Sequence, residues 1–328
     1  MPRRFLVTGG AGYVGSHLVA ALCDRGDVPV VVDNFRTGHR QAVPAWVRLV
    51  EADAGDATVL AELLADGPWD AVFHFAAMTQ VGESMQMPMR YLIANASTGM
   101  ALIDACVRHD VRRFILSSTA ALFTARDDRP IPADAPIDPD SAYGDSKWMI
   151  ERALRWANRV HGLRTACLRY FNAAGADPAG RLGEDHRPET HLMPLAIDAA
   201  LGRRPPLTVF GGDYPTRDGT CVRDYVHVTD LADAHLLALE AMDQGEIRWN
   251  LGTGAGYSVL EVLQAVERVS GRKVPYVMAE RRPGDAASLV ASAAPALQAG
   301  WRPRHAELDT IARTAFAWRA AHPNGYGE

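Results

Sequence analysis

The first forty residues constrain the fold more than any other stretch of the chain. Phe5-Leu6-Val7-Thr8 reads as a short apolar strand that runs into Gly9-Gly10-Ala11-Gly12-Tyr13-Val14-Gly15, which satisfies both G-x-G-x-x-G and G-x-x-G-x-x-G. Behind this loop Val14, Leu18, Val19 and Leu22 fall on one helical face, Gly26 can end the helix, and Val30-Val31-Val32 gives a second strand closed by Asp33. Glycines let the backbone approach a pyrophosphate at the helix N-terminus, where unpaired N–H groups and the helix dipole favour an anion, and Asp33 can accept from adenosine ribose hydroxyls. The stretch therefore predicts a dinucleotide-binding βαβ unit. An acid at Asp33 repels a 2′-phosphate, which favours NAD over NADP, although Arg36 and Arg40 keep that choice open.

Strands and helices continue to alternate, the pattern of an α/β Rossmann fold with a doubly wound parallel sheet. Val47-Arg48-Leu49-Val50 leads to Asp53, which could bind an adenine amino group, and Asp56 could cap a helix through Leu64. Ala71 to Ala77 reads as a buried strand whose small carboxyl-terminal residues leave room for a cofactor. His74, inside this apolar run, is expected to be a hydrogen-bonded core histidine. Phe114-Ile115-Leu116 gives another strand, with the hydroxyls of Ser117, Ser118 and Thr119 at its carboxyl end, where ligands collect in such sheets. Turn formation would explain those hydroxyls equally well. Arg126-Asp127-Asp128-Arg129 reads as a solvated loop.

What favours a chemical role for the hydroxyls is Ser141-Ala142-Tyr143-Gly144-Asp145-Ser146-Lys147 and the helical run after it. With Tyr143 in the first turn, Lys147 lies four residues on, so phenol and ammonium leave the same face. Free tyrosine titrates near ~10, and a neighbouring cation is expected to lower that value enough for the phenolate to act as a base. The alternative is a solvated pair on a helix surface. Only two of the 34 basic residues are lysine, Lys147 and Lys273, and a compact ammonium suits contact with both a phenol and a ribose hydroxyl better than a guanidinium does.

A net charge of -5 with dispersed basic residues argues against nucleic-acid or membrane-surface partners. The four cysteines, Cys23, Cys106, Cys167 and Cys221, are widely spaced, so neither a disulfide framework nor a metal site is expected. Neither a signal-peptide core nor an apolar run of ~18 residues is visible, and a cytoplasmic protein is expected.

Seven blocks in order carry a family likeness. They are Val7 to His17, Val81-Gly82-Glu83-Ser84, Tyr143 to Lys147, Leu168-Arg169-Tyr170-Phe171-Asn172, Asp213-Tyr214-Pro215-Thr216, Val222 to Val228 and Arg281-Arg282-Pro283-Gly284-Asp285. Over essentially its whole length the chain resembles the extended short-chain dehydrogenase/reductase family, and within it the nucleotide-sugar 4-epimerases. The resemblance implies an NAD-binding Rossmann domain over residues 1–171, a smaller α/β lobe for a UDP-sugar over residues 172–328 with segments returning to the first domain, and a homodimer. It implies an isomerase that inverts C4 of a UDP-hexose by transient oxidation, with Tyr143 as base, Lys147 on the nicotinamide ribose and Thr119 relaying or orienting the proton.

For the cofactor the resemblance adds Tyr13, Val14, Asp33, Asn34, Phe35, Arg36, Thr37, Gly38, Asp53, Ala54, Phe75, Ala76, Ala77, Met78, Thr79, Asn95 and Phe171 to Gly9, Gly12 and Gly15. For the nucleotide-sugar it implies Asn172, His191, Leu192, Thr208, Val209, Phe210, Arg223, Arg282 and Asp285, together with Thr119 and Tyr143. The chain departs from the family pattern at Thr119, where many members have serine, at Thr79, and at Phe123-Thr124. Relatives that dehydrate their sugar carry an Asp-Glu pair directly after the threonine, whereas Ala120-Ala121 stands here. Asn172 to Thr190 reads as a long substrate loop, Leu192 to Leu201 as a helix and Leu207 to Phe210 as a strand.

Overall fold

The computed structural model describes residues 2–124, 129–282 and 284–327. The loop expected at Arg126-Asp127-Asp128 lies outside them. Seven strands form a sheet in the order Ile247–Leu251, Arg164–Tyr170, Arg113–Thr119, Ala71–His74, Arg4–Thr8, Val28–Asp33, Arg48–Glu51. All neighbouring pairs are parallel. Strand order reverses between Arg4–Thr8 and Ala71–His74, which opens a crevice at their carboxyl ends.

Alternation along the strands feeds two cores. Phe5, Val7, Val31, Phe73 and Ile115 pack on one face with Leu18 and Leu22 of helix Tyr13–Asp24 and Leu231 and Leu239 of helix Val228–Ala241. Leu6, Val30, Val32, Val72, Phe114 and Leu116 pack on the other with Leu60, Leu63, Leu102, Ile150 and Leu154. Because both faces are covered, the strands read as apolar runs in sequence. Strand Ile247–Leu251 and helix Val228–Ala241 pack with this first lobe although they come from the carboxyl-terminal half of the chain.

A smaller lobe is built from helices Leu192–Ala200, Val259–Ser270 and Leu308–Ala321 around a third core that includes Ile197, Val262, Val266 and Ile311. Strand Leu207–Phe210 pairs in parallel with Tyr276–Ala279 on its flank. The buried Asp224 carboxylate joins the lobes by accepting from the N–H groups of Thr253, Gly254 and Ala291, the first two of which follow the edge strand of the large sheet.

Helix Ala142–His161 begins where the Ser141 hydroxyl accepts from Gly144 N–H and ends at Gly162, whose φ of 68° is left-handed. Tyr143, Lys147, Ile150, Glu151 and Leu154 form its buried face. Glu151 is the residue that fixes the helix to the sheet. Its carboxylate accepts from Arg169 through Nε at 2.9 Å and Nη2 at 2.6 Å, and from the Ser118 hydroxyl at 2.6 Å, with both charged side chains at most 2% exposed. A buried pair adds little net stability over an apolar replacement, but removing one partner strands the other charge and costs about 3–5 kcal/mol. Glu151→Ala is therefore expected to lose roughly that much in urea unfolding, whereas a loss under about 1 kcal/mol would mean that Arg169 finds another partner.

Candidate active site

The glycine loop is forced by close packing. Gly9 has a φ of 72°, and a Cβ there would lie 2.4 Å from Ala76 N, while one on Gly15 would lie 2.2 Å from Gly9 O. Gly12 is the helix N-cap; Tyr13 and Val14 open helix Tyr13–Asp24, which has no side-chain cap and no acid in its first turn. The end of that helix suits an anion. Asp33 is buried at the end of the next strand, where its carboxylate accepts from Ala11 N–H at 3.0 Å and Phe35 N–H at 2.9 Å. Burial raises its pKa, with those two N–H groups working the other way. The remaining lone pairs can still meet ribose hydroxyls. Residues 34–38 fold back over the glycine turn, with Phe35 at a φ of 53° and His39 N–H on Ala11 O.

Asp53 accepts from Gly55 N–H at 2.9 Å and, at 3.4 Å, from Asn34, with Ala54 buried beside it. Phe75, Ala76, Ala77 and Met78 are partly buried after strand Ala71–His74, and Thr79 is exposed. His74 is the core histidine expected from the sequence, bonded to the Thr8 hydroxyl at 2.7 Å and held neutral by burial, with a pKa near 3. Asn95 sits in a π-helical turn, Leu92–Ser97. From there it accepts from Met78 N–H and donates to Met78 O and Ser146 Oγ, joining the end of one strand to the helix that carries Tyr143. These residues fit a dinucleotide: a glycine cradle, an uncapped helix end and an acid at the adjoining strand end.

Thr119, Tyr143 and Lys147 come together at the carboxyl end of strand Arg113–Thr119. The Thr119 hydroxyl accepts from Ala121 N–H at 3.1 Å and stands close enough to the Tyr143 phenol to lower its pKa. Tyr143 and Lys147 are 8% and 1% exposed. The expectation that Lys147 lowers the phenol's pKa is corrected for the chain alone. Burial raises Tyr143, and Thr119 is what pulls it down. The Lys147 ammonium instead donates to Ser117 O at 2.9 Å, and burial depresses it to about 8 against the pull of Glu151. Gly144 is needed beside the phenol, since a Cβ would lie 2.1 Å from Ala121 O.

From this centre the chain leads continuously to the second lobe. Thr119 pairs in register with Tyr170; Phe171 N–H donates to Leu251 O and Asn172 N–H to Asp224 O. Arg223 follows, with Nη2 3.6 Å from Asp285, whose other oxygen accepts from Arg282 at 3.0 Å. The Arg282 guanidinium lies 4.8 Å from the Phe210 ring centroid, in the strand that also holds Thr208 and Val209. Two arginines, an aromatic face and an acid form one polar cluster. The departure at Phe123-Thr124 has a structural reason: Phe123 is buried under Arg169, 5.5 Å from its ring centroid, and Thr124 donates to Asp138 O.

His191 and Leu192 mark the start of helix Leu192–Ala200. His191 has company that sequence reasoning missed, because the search for metal ligands looked to cysteines: Glu184, His186, Glu189 and His191 converge. The signal was the run Glu-x-His-x-x-Glu-x-His. Sequence reasoning also missed Glu151 and Arg169, although Tyr143, Lys147 and Glu151 stand at intervals of four on one helix face.

The model of the NAD dependent epimerase/dehydratase family matches residues 5–252. The chain is 48% identical to a UDP-glucose 4-epimerase of Azospirillum brasilense, over 99% of this chain and 94% of that one. The crystal structure of a Brucella ovis UDP-glucose 4-epimerase in complex with NAD superposes with a TM-score of 0.93 at 44% identity, covering 96% of this chain and 98% of that one. A Bifidobacterium longum UDP-glucose 4-epimerase in complex with NAD+ and UDP gives 0.93 at 35% identity over 98% and 99%.

Because Thr119 favours the ionised phenol, Thr119→Val is expected to raise the Tyr143 pKa. The acid limb of the pH–rate profile should then move to higher pH, with turnover recovering as pH rises. An unmoved limb would show that Thr119 does not set the base.

Proposed function

The chain belongs to the NAD dependent epimerase/dehydratase family, and from that premise we propose that it is an isomerase interconverting UDP-galactose and UDP-glucose at C4. NAD, when bound, supplies a hydride acceptor that returns what it takes. The residues that would hold it are those of the glycine loop, Asp33, the 34–38 segment, Asp53 and the 75–79 segment, with Lys147 on the nicotinamide ribose. The observation that carries the reading is the buried Tyr143 phenol beside the Thr119 hydroxyl at the carboxyl end of strand Arg113–Thr119.

Tyr143 as phenolate takes the proton from the 4-hydroxyl as C4 is oxidised, and Thr119 steadies the phenolate. The same phenol gives the proton back when C4 is reduced on its opposite face, so the enzyme ends each cycle unchanged. Arg223 and Arg282 bind the diphosphate, since a guanidinium matches phosphate oxygens bidentately. Asp285 holds both guanidiniums in place, while Asn172, His191, Leu192 and Thr208 to Phe210 wall the nucleotide. Residues 172–328 thereby serve mainly as the UDP-sugar lobe, and anchoring the nucleotide rather than the hexose leaves the ring free to turn over.

We infer a homodimer from the outer faces of the helical segments over residues 81–108 and 142–161. Met85, Met89, Ile93, Met100, Trp156 and Val160 are all exposed there, more apolar side chains on one side than a monomer ordinarily leaves in water. A single-chain mass by light scattering would contradict it. Among the described residues no helix is long and apolar enough to cross a membrane, and all four cysteines are free; free thiols suit the reducing cytoplasm.

Dehydration is the rival outcome for a 4-keto sugar, and it needs groups that exchange protons at C5 and the 6-oxygen. Ala120 and Ala121 follow Thr119 in a 3₁₀ turn, and their methyl groups can do neither. UDP-galactose in deuterated water, without added NAD, should give UDP-glucose with no deuterium at C5. Tyr143→Phe should slow the reaction at least ~10²-fold. Deuterium at C5 or a 6-deoxy ketosugar would overturn the epimerase reading.

A further inference from the structure

Beyond the crevice, the loop that precedes helix Leu192–Ala200 gathers two carboxylates and two imidazoles. One ligand atom from each of Glu184, His186, Glu189 and His191 lies within 4.8 Å of all the others. His186 Nδ1 is 3.2 Å from Glu184 Oε1 and 3.8 Å from Glu189 Oε2, while His191 Nδ1 is 2.6 Å from Glu184 Oε1 and 3.5 Å from Glu189 Oε1. Ligands about 2.0–2.1 Å from a tetrahedral ion are separated by about 3.3 Å, so these spacings bracket a four-coordinate shell.

Ion pairing of the two rings with the two carboxylates holds the cluster together without an ion. It leaves Glu184 Oε1, His186 Nδ1 and Glu189 Oε2 buried without a well-directed hydrogen bond, although His191 Nδ1 approaches Glu184 Oε1 to 2.6 Å. Glu184 is only 7% exposed, so this oxygen faces the two rings from inside the protein. Buried polar atoms are costly to leave unsatisfied, and a cation held by these three together with the half-exposed His191 Nδ1 would satisfy them at once. Two carboxylates with two neutral imidazoles cancel a divalent charge, and an N₂O₂ donor set suits a first-row transition ion, zinc above all, rather than calcium or magnesium.

We propose that Glu184, His186, Glu189 and His191 form a structural site for a divalent transition ion of the zinc class. Its place in the fold gives the ion a task. His186 packs edge-on against Tyr13, 6.2 Å between ring centroids, and Tyr13 opens the helix behind the glycine loop and donates to Gly175 O. His191 stands at the N-cap position of helix Leu192–Ala200, with no side-chain bond to its first turn. An ion here ties the amino end of the dinucleotide helix, the 175–190 loop and the first turn of a second-lobe helix into one rigid corner. His191 is shared with the nucleotide wall assigned above, whereas Glu184, His186 and Glu189 are not, so the site is tested through those residues.

The test uses the full chain without a histidine tag, dialysed against chelator and then titrated with Co²⁺ and Zn²⁺. Saturation at one equivalent per chain is expected, with the intense visible bands of four-coordinate Co²⁺, their displacement by Zn²⁺, and a rise in the thermal midpoint. Glu184→Gln and His186→Gln should each weaken Zn²⁺ at least ~10-fold. If a variant fails to fold, the Co²⁺ spectrum of the unaltered chain still decides. No saturable binding below about 100 μM, a weak six-coordinate Co²⁺ spectrum, or affinity unchanged in both variants would overturn the site.

Discussion

The Glu151 carboxylate, buried with the Arg169 guanidinium and the Ser118 hydroxyl, is the interaction on which the active centre depends. It connects a helix to two adjacent strands at the level where those strands end. One helical turn before Glu151 stands Lys147, and two turns before it stands Tyr143; one residue after Ser118 stands Thr119, and one after Arg169 stands Tyr170. A slip of the helix by one residue would leave both charges unpaired in the core. The helix therefore has one position, and in that position phenol, ammonium and hydroxyl meet.

Close backbone approach supplies the second constraint. Without side chains at Gly9 and Gly15, the loop can lie on Ala76 and the helix on the loop; without one at Gly144, the first turn of the tyrosine helix can lie on Ala121. These contacts pack the crevice against the helix turn that carries Tyr143. Burial then works against the chemistry, because it raises the phenol's pKa. Thr119 offsets part of that effect. The positive charge of oxidised NAD, when bound, would act in the same direction.

Much of this was legible in the sequence because it rests on local periodicity. The glycine loop, its strands and the acid after them are spaced by the geometry of one βαβ unit, and Tyr143 to Lys147 by one helical turn. What the sequence did not reveal rests on contacts between distant segments. The bond from Lys147 to Ser117 O was hidden because Ser117 comes from a strand 30 residues away, and the convergence of Arg223, Arg282 and Asp285 depends on how the second lobe closes. The Glu184 to His191 cluster was hidden for a different reason. Its spacing is regular only in the loop's own conformation, and charged loop residues ordinarily read as solvated.

In the proposed cycle one carbon loses and regains its own hydrogen while Tyr143 handles the hydroxyl proton. UDP-galactose carrying deuterium at C4, turned over in ordinary water without added NAD, tests it most directly. UDP-glucose that retains deuterium at C4 is expected. Loss of that label to solvent would contradict it, since a C4 hydrogen that exchanges with water has left by proton transfer rather than as hydride.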